Sequence, residues 1–227
     1  MKNVAVIPAR GGSKRIERKN IRPFCGQPII AYSIRQALSS RLFDEVVVST
    51  DDAEIAAVSR ELGASVPFIR PQELSGDFVG VIEVVSHAIE QIGGAEYACL
   101  IYATAPFLRS ADLIEASEMI GANDYVLSVA EYEAPIFRAV RLDENGRVSS
   151  IWKEYENRRS QDLPRAFFDA AHFCFGRAEA FLTKRSILNG KTAGYIVDRT
   201  RAQDIDTPND WRRAEAMFRT MQNENRL

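Results

Sequence analysis

The sequence predicts an α/β fold, a mostly parallel sheet with helices on both faces, and three observations carry that prediction. Short apolar runs alternate with segments of helical spacing along the first half of the chain. Runs such as "VAVIP" and "EVVVST" are apolar at nearly every position, not every second one, as in strands covered on both faces. Between the runs stand the acids, hydroxyls and glycines that start and stop helices.

Taken in order, Val4 to Pro8 reads as the first strand, and a helix spans Pro28 to Leu38 after an intervening basic loop. Glu45 to Thr50 is a second strand, followed by a helix over Glu54 to Leu62 that Gly63 can end in left-handed geometry. Val66 to Ile69 reads as a short third strand, Val81 to Ile92 as a helix, and Tyr97 to Tyr102 as a fourth strand. Ser110 can cap a helix towards Ile120, and Tyr125 to Ala130 is again a strand. There the rhythm breaks. Phe137 to Leu142 and Arg147 to Ile151 flank "DENG", a hairpin signal because Asn145 and Gly146 tolerate positive φ. The polar stretch Trp152 to Arg165 reads as an irregular arm, a kind of segment that is usually functional or packed on a partner. The α/β pattern resumes with a strand over Phe168 to Phe175, a helix over Arg177 to Lys184 and a strand over Tyr195 to Asp198. A last helix opens at "TPNDW", where Thr207 is the N-cap, Pro208 fits the first turn and Asp210 completes a capping box. The expected organisation is one domain over residues 1–227.

Composition narrows the function. Against 31 acidic residues stand 29 basic ones, a net charge of -2, so no global field attracts nucleic acid. Cys25, Cys99 and Cys174 are scattered, odd in number and without a C-x-x-C pair, which indicates neither a disulfide framework nor structural zinc and suits a reduced cytoplasm. No apolar run approaches a membrane span, and the N-terminus lacks the apolar core of a signal peptide. No membrane partner is expected.

Basic character is local. In "ARGGSKRIERKN" the residues Arg10, Lys14, Arg15, Arg18 and Lys19 face one acid, Glu17, directly after the first strand. Ligands of open α/β sheets sit beyond the carboxyl ends of strands, so this loop is placed to bind. Gly11 and Gly12 allow backbone N–H groups close to an anion, while Arg10 and Lys14 offer fork and point-charge contacts to phosphate. A di- or triphosphate matches best, against the plainer alternative of a solvated basic turn. Neither G-x-x-x-x-G-K-[ST] nor G-x-G-x-x-G is present, which weakens the case for Walker ATPases and NAD enzymes.

A second constellation is "QDIDT". On an extended segment, Asp204 and Asp206 fall on the same side with Ile205 towards the core, an arrangement that suits Mg²⁺ shared with substrate phosphates. The alternative makes Asp206 a helix-entry acid and Asp204 a surface residue. In "STDD", Asp52 reads as a cap for the helix containing Glu54 before it reads as a ligand. His87 lies in a helical pattern and His172 in a strand, neither with a metal-ligand partner at useful spacing, and no G-x-S-x-G supports a hydrolase triad.

Together "IPARGGSKRIERKN", "VSTDD", "FIRPQEL", "YATAPFLR" and "QDIDTPNDW" resemble the CMP-sialic acid synthetase family, collinearly from Val4 to about Met217. "PFCGQPIIAYSI" and "RSQDLPRAFFDAAHF" resemble its pseudaminic acid branch more than its sialic acid branch. The resemblance implies a nucleotide-diphospho-sugar transferase-like domain, a dimerisation arm at about residues 134–165, and a homodimer. It implies transfer of CMP from CTP to a nonulosonic acid, with Mg²⁺. It assigns Arg10, Ser13, Lys14 and Asn20 to the nucleotide loop, with the backbone around Ala9 and Arg10 reading the base. Arg70 falls in the nucleotide pocket, Asp204 and Asp206 on the metal, and Tyr102, Thr104, Arg109, Gln161, Asp169 and His172 on the sugar side. The branch usually reads "DAGQFYWG" where this chain has "DAAHFCFG", and Tyr102 stands where sialic acid enzymes carry glutamine.

Chemistry consistent with this has an anomeric hydroxyl attack the α-phosphorus in line, with Arg10, Lys14 and the metal stabilising the departing pyrophosphate. Asp206 or a metal-bound hydroxide takes the proton, a choice the sequence leaves open. The sugars to be told apart are pseudaminic, sialic, legionaminic and 3-deoxy-manno-octulosonic acids. From other classes come a nucleotide-binding module without turnover and a purely structural domain.

Overall fold

The structure, a computed structural model, describes residues 2–188, 190–224 and 226. Strand β1 (Asn3–Pro8) is followed by a two-stranded ribbon, β2 (Pro23–Phe24) and β3 (Gln27–Pro28), then helix α1 (Ile30–Ser40). Next come β4 (Glu45–Ser49), α2 (Ala53–Glu61), α3 (Val81–Gln91), β5 (Tyr97–Ile101), α4 (Ser110–Glu118) and β6 (Tyr125–Glu131). A hairpin, β7 (Val140–Leu142) and β8 (Val148–Ser150), precedes β9 (Phe167–Arg177), α5 (Ala178–Leu182), β10 (Thr192–Ile196) and α6 (Pro208–Asn223).

Among the described residues the main sheet has six strands in the order β10-β6-β9-β5-β1-β4. All neighbours pair in parallel except β9, which runs antiparallel to both β5 and β6. Side chains of β1 alternate between two cores: Ala5 and Ile7 meet α1, α2 and α4 on one face, Val4 and Val6 meet α3 and α5 on the other. Both faces being covered explains the unbroken apolar runs. Because β1, β4 and β5 are parallel, the loops that leave their carboxyl ends converge on one edge of the sheet.

A third core forms at that edge. Phe24 makes edge-on contacts with Tyr32, Trp211 and Phe218, with centroids 5.5 to 5.7 Å apart. Ile16 from the basic loop and Ile205 from the last connection are sunk in the same cluster. Two segments nearly 190 residues apart in sequence are thereby pinned side by side.

Three expectations need correction. Val66 to Ile69 is not a strand: a single bridge joins Ser65 to Val47, and Pro67 has no N–H with which to extend the ladder. Helix α1 starts at Ile30, not Pro28, because Cys25 (φ 46°) and Gly26 (φ 94°) turn the chain into the β2–β3 ribbon first. The final strand, β10, begins at Thr192 and ends before Asp198. The arm is irregular apart from short 3-10 turns at Lys153–Tyr155 and Ser160–Asp162, and Phe137, Trp152 and Tyr155 cluster at its root. Cys25, Cys99 and Cys174 are all free. Among the described residues no helix is long and apolar enough to cross a membrane.

Candidate active site

The loop after β1 is held from three directions. Ala9, fully buried, donates its N–H to Ser49 O at 2.9 Å and so extends the pairing of β1 with β4 by one residue. Gly11 packs against Asp52, whose carboxylate oxygen would lie 2.6 Å from any Cβ placed there, so only glycine fits without a shift. Its N–H donates to Asp51 Oδ1 at 2.9 Å. That donor is therefore engaged by the protein, unlike the free anion-facing N–H expected from the sequence. Asn20, nearly buried, donates from Nδ2 to Arg10 O at 2.9 Å and closes the loop from below.

Asp52 is the N-cap of α2, accepting from the backbone N–H groups of Glu54 (3.0 Å) and Ile55 (2.9 Å). It also pairs with Arg18 at 2.6 Å, and that hydrogen bond is the main reason its carboxyl sits below the usual range. One acid thus fixes the start of a helix and the end of the basic loop.

These loops frame a cleft of about 430 Å³. Arg10, Ser13, Lys14 and Asn20 line one side, Tyr102 and Thr104 from the end of β5 another, and Arg70 and Asp206 also face it. Leu74, Val79, Val81 and Val84 give it an apolar wall. Arg70 is 4% exposed, with its Nε on Ser75 Oγ at 3.2 Å and its nearest carboxylate, Asp51, at 3.8 Å. Burial pulls its guanidinium below the ordinary arginine value, with nearby Arg10 adding to the effect. A cation this buried and this loosely paired favours an anion or strong acceptor in the cleft.

Within the chain itself, carboxylates answer the basic loop. Asp77 stands 2.6 Å from Arg10 and also bonds Lys14, and these hydrogen bonds hold its carboxyl below the usual range. Asp206 stands 2.8 Å from Arg15 and 3.2 Å from Lys19. The sequence reading missed Asp77, which the fold brings to Arg10 from 67 positions away.

Ile205 is fully buried while Asp204 and Asp206 flank it, the alternation expected of the extended segment. Desolvation, then the negative charge of Asp206, raises the Asp204 carboxyl. Among the described residues no group of three or more His, Cys, Asp or Glu side chains is placed to hold a metal. Asp206 lines the cleft and Asp204, two residues before it, lies outside the lining; two carboxylates on one side of an extended segment fit a hard cation that draws its other ligands from phosphate and water.

The sugar-side candidates divide. Tyr102 and Thr104 line the cleft, and Asp169 lies close to Tyr102. Burial raises both of these groups, and Asp204 lies close enough to raise Asp169 further. Asp169 and the other three lie outside the cleft lining. Arg109 donates to Arg226 O, and Gln161 is exposed on the arm. His172 is 1% exposed with Nε2 3.1 Å from Arg201 O, and burial together with the Arg201 charge pulls its imidazole down to about 4. Its place is in the framework, not against a ligand.

Comparison with known proteins places the chain in a family. The family model described as Cytidylyltransferase matches residues 4–197. The pseudaminic acid cytidylyltransferase of Campylobacter jejuni is 41% identical over 96% of this chain and 97% of its own length. The N-acylneuraminate cytidylyltransferase of Escherichia coli is 29% identical over 92% of this chain and 50% of its own. Among solved structures, a CMP:2-keto-3-deoxy-manno-octonic acid synthetase complexed with CTP superposes with a TM-score of 0.73 at 17% identity, covering 97% and 99% of the two chains. A family model matching residues 4–197 and a relative 41% identical over nearly the full length of both chains show that this chain belongs to the cytidylyltransferase family.

Proposed function

We propose that this enzyme transfers CMP from CTP to a nonulosonic acid, pseudaminic acid first among them, and releases pyrophosphate. The observation that carries the reading is the 41% identity to pseudaminic acid cytidylyltransferase along nearly the full length of both chains. Relatives acting on sialic and legionaminic acids stand lower, at 29% and 28%. The cleft supports the nucleotide half: Arg10 and Lys14 face the phosphates, Arg70 waits in a buried pocket, and the aliphatic wall of Val79, Val81 and Val84 suits a flat base.

In this reading CTP replaces Asp77 at Arg10 and Lys14, and those two cations stabilise the charge that gathers on pyrophosphate as it leaves. Ser13 and Asn20 hold the loop in shape around it. The sugar acid enters beside Tyr102, Thr104 and Asp169, with its anomeric hydroxyl turned towards the α-phosphorus. Asp206, which lines the cleft beside Arg15 and Lys19 of the loop, is the candidate base for that hydroxyl. Asp204 and Asp206 would hold Mg²⁺, which supplies charge neutralisation at the phosphates when bound. A homodimer through the arm belongs to the same reading, supported by Val140, Leu142, Val148 and Ile151, whose side chains are exposed on the hairpin and its exit.

The test is pyrophosphate release with Mg²⁺ and CTP across pseudaminic, sialic and legionaminic acids, with UTP and ATP as controls. Release with CTP and pseudaminic acid alone is the expected outcome. Release with another sugar only would move the specificity. No release with any sugar, with CTP still raising the melting temperature, would favour a binding module.

A further inference from the structure

Outside the cleft, one ion pair among the described residues is almost wholly buried. Arg201 is 5% exposed and Asp112 is 3% exposed. Arg201 Nη2 lies 2.9 Å from Asp112 Oδ1, its Nη1 bonds Asp112 Oδ2, and the same Nη1 donates to Phe107 O at 3.2 Å. Asp112 also accepts the Arg109 N–H at 3.0 Å and the Tyr195 hydroxyl at 3.0 Å. The Arg201 carbonyl faces His172 Nε2. The pair therefore ties together β9, β10, the start of α4 and the 3-10 turn Arg199–Arg201.

A pair so buried is a poor device for stability, because desolvating both ions costs about as much as their attraction returns. Arg201 Nε, buried without a partner, adds to that cost. What the pair does uniquely is geometric. Phe107 and Asp112 belong to the stretch that leaves β5 past Tyr102 and Thr104, while Arg201 stands three residues before Asp204. Three extended residues span about 10 Å, so a fixed Arg201 confines Asp204, and fully buried Ile205 confines it from the other side.

We propose that Arg201 and Asp112 are positioning residues for the metal carboxylates: their two-point contact locks the Asp204–Asp206 segment in register with the β5 loop. The proposal rests on the Mg²⁺ reading above. Residues that orient ligands from behind typically change metal affinity or activity by about 10- to 100-fold when removed.

The test compares wild type with Arg201→Lys, which keeps the charge and loses the fork, and with the double variant Arg201→Met/Asp112→Leu, which replaces the pair by apolar groups. CTP binding is titrated calorimetrically in EDTA and again across a Mg²⁺ series, alongside kcat and melting temperature. We expect CTP affinity in EDTA to stay at the wild-type value in both. The Mg²⁺ concentration needed for half of the metal-dependent change should rise about 10- to 100-fold, with kcat falling by a similar factor. The double variant should remain folded, with a lowered melting temperature because the Arg109 N–H and Phe107 O lose their partners, and still show the metal defect. Wild-type Mg²⁺ dependence in a folded double variant would overturn the proposal, leaving the pair a structural element only. Wild-type enzyme with no Mg²⁺ effect on CTP binding or turnover would instead overturn the metal assignment, and this proposal with it.

Discussion

Two sets of ion pairs in this enzyme have the same chemistry and opposite settings. In the cleft, Asp77 meets Arg10 and Lys14 while Asp206 meets Arg15 and Lys19, all with side chains open to water except the mostly covered Lys19. Behind the cleft, Arg201 meets Asp112 with both side chains almost wholly covered. Pairs open to solvent contribute about 0 to 1 kcal/mol, so a polyphosphate can exchange with them at little cost. Losing one partner of a buried pair costs about 3 to 5 kcal/mol. The difference separates a surface built to trade partners from a frame built to keep them.

The sharpest way to break this comparison is Asp206→Ala. If Asp206 serves the reaction and is not merely a partner for Arg15 and Lys19, turnover should fall by about 10²- to 10³-fold, while the melting temperature and CTP affinity in EDTA hold. Near-normal pyrophosphate release would return Asp206 to the role of a helix-entry acid. Arg10→Ala comes next in size. A charge-assisted contact contributes about 1.5 to 3 kcal/mol, so CTP binding should weaken about 10- to 150-fold, and kcat should drop with it if the same cation faces the leaving group. A fall in kcat with unchanged CTP affinity would place Arg10 on the transition state alone.

Asp77→Asn tests exchangeability itself. Removing the competing carboxylate should tighten CTP by about 3- to 10-fold at low salt, as for a solvent-exposed pair. The gain should shrink as ionic strength rises, since screening weakens Asp77 and phosphate alike. Weaker CTP binding in this variant would mean that Asp77 contacts the nucleotide or its cation and is not displaced.

Much of this arrangement was legible in the sequence where local chemistry decides it. The strands β1, β4 and β5 are apolar on both faces, Thr207 and Asp210 form the capping box, and the alternation across Ile205 survives in the structure. Arg10, Lys14, Asn20, Arg70 and Asp206 do share one cleft. What stayed hidden depends on long-range pairing. Nothing near Asp77 in sequence says that it will face Arg10 across 67 positions. Arg201 and Asp112 look like surface charges until the fold buries them together. His172 read as a sugar contact because it sits in a motif, yet strand alternation and a bulge turn it inward.

That bulge supports the smallest prediction. The register of β6 against β9 shifts between Leu127 and Val129, and Ala171 takes a left-handed backbone (φ 53°) that favours glycine. Its N–H is held by Asp169 Oδ1 at 2.8 Å, so the conformation is set by the neighbours. The kink serves both regions compared above, sending Asp169 to Tyr102 at the cleft and His172 to the Arg201 carbonyl behind it. A left-handed alanine costs about 1 to 2 kcal/mol, whereas glycine there loses about 0.5 to 1 kcal/mol through its freer unfolded chain. Ala171→Gly should therefore stabilise the fold by up to about 1 kcal/mol, a rise of roughly 2 to 4 °C in melting temperature for a chain of this size, with kcat unchanged. A stabilised enzyme with lower kcat would show that the bulge must yield during turnover and would tie Asp169 to the exchangeable surface. A lower melting temperature would show that the Ala171 methyl group packs well enough to outweigh its backbone strain, which would place the bulge with the buried frame.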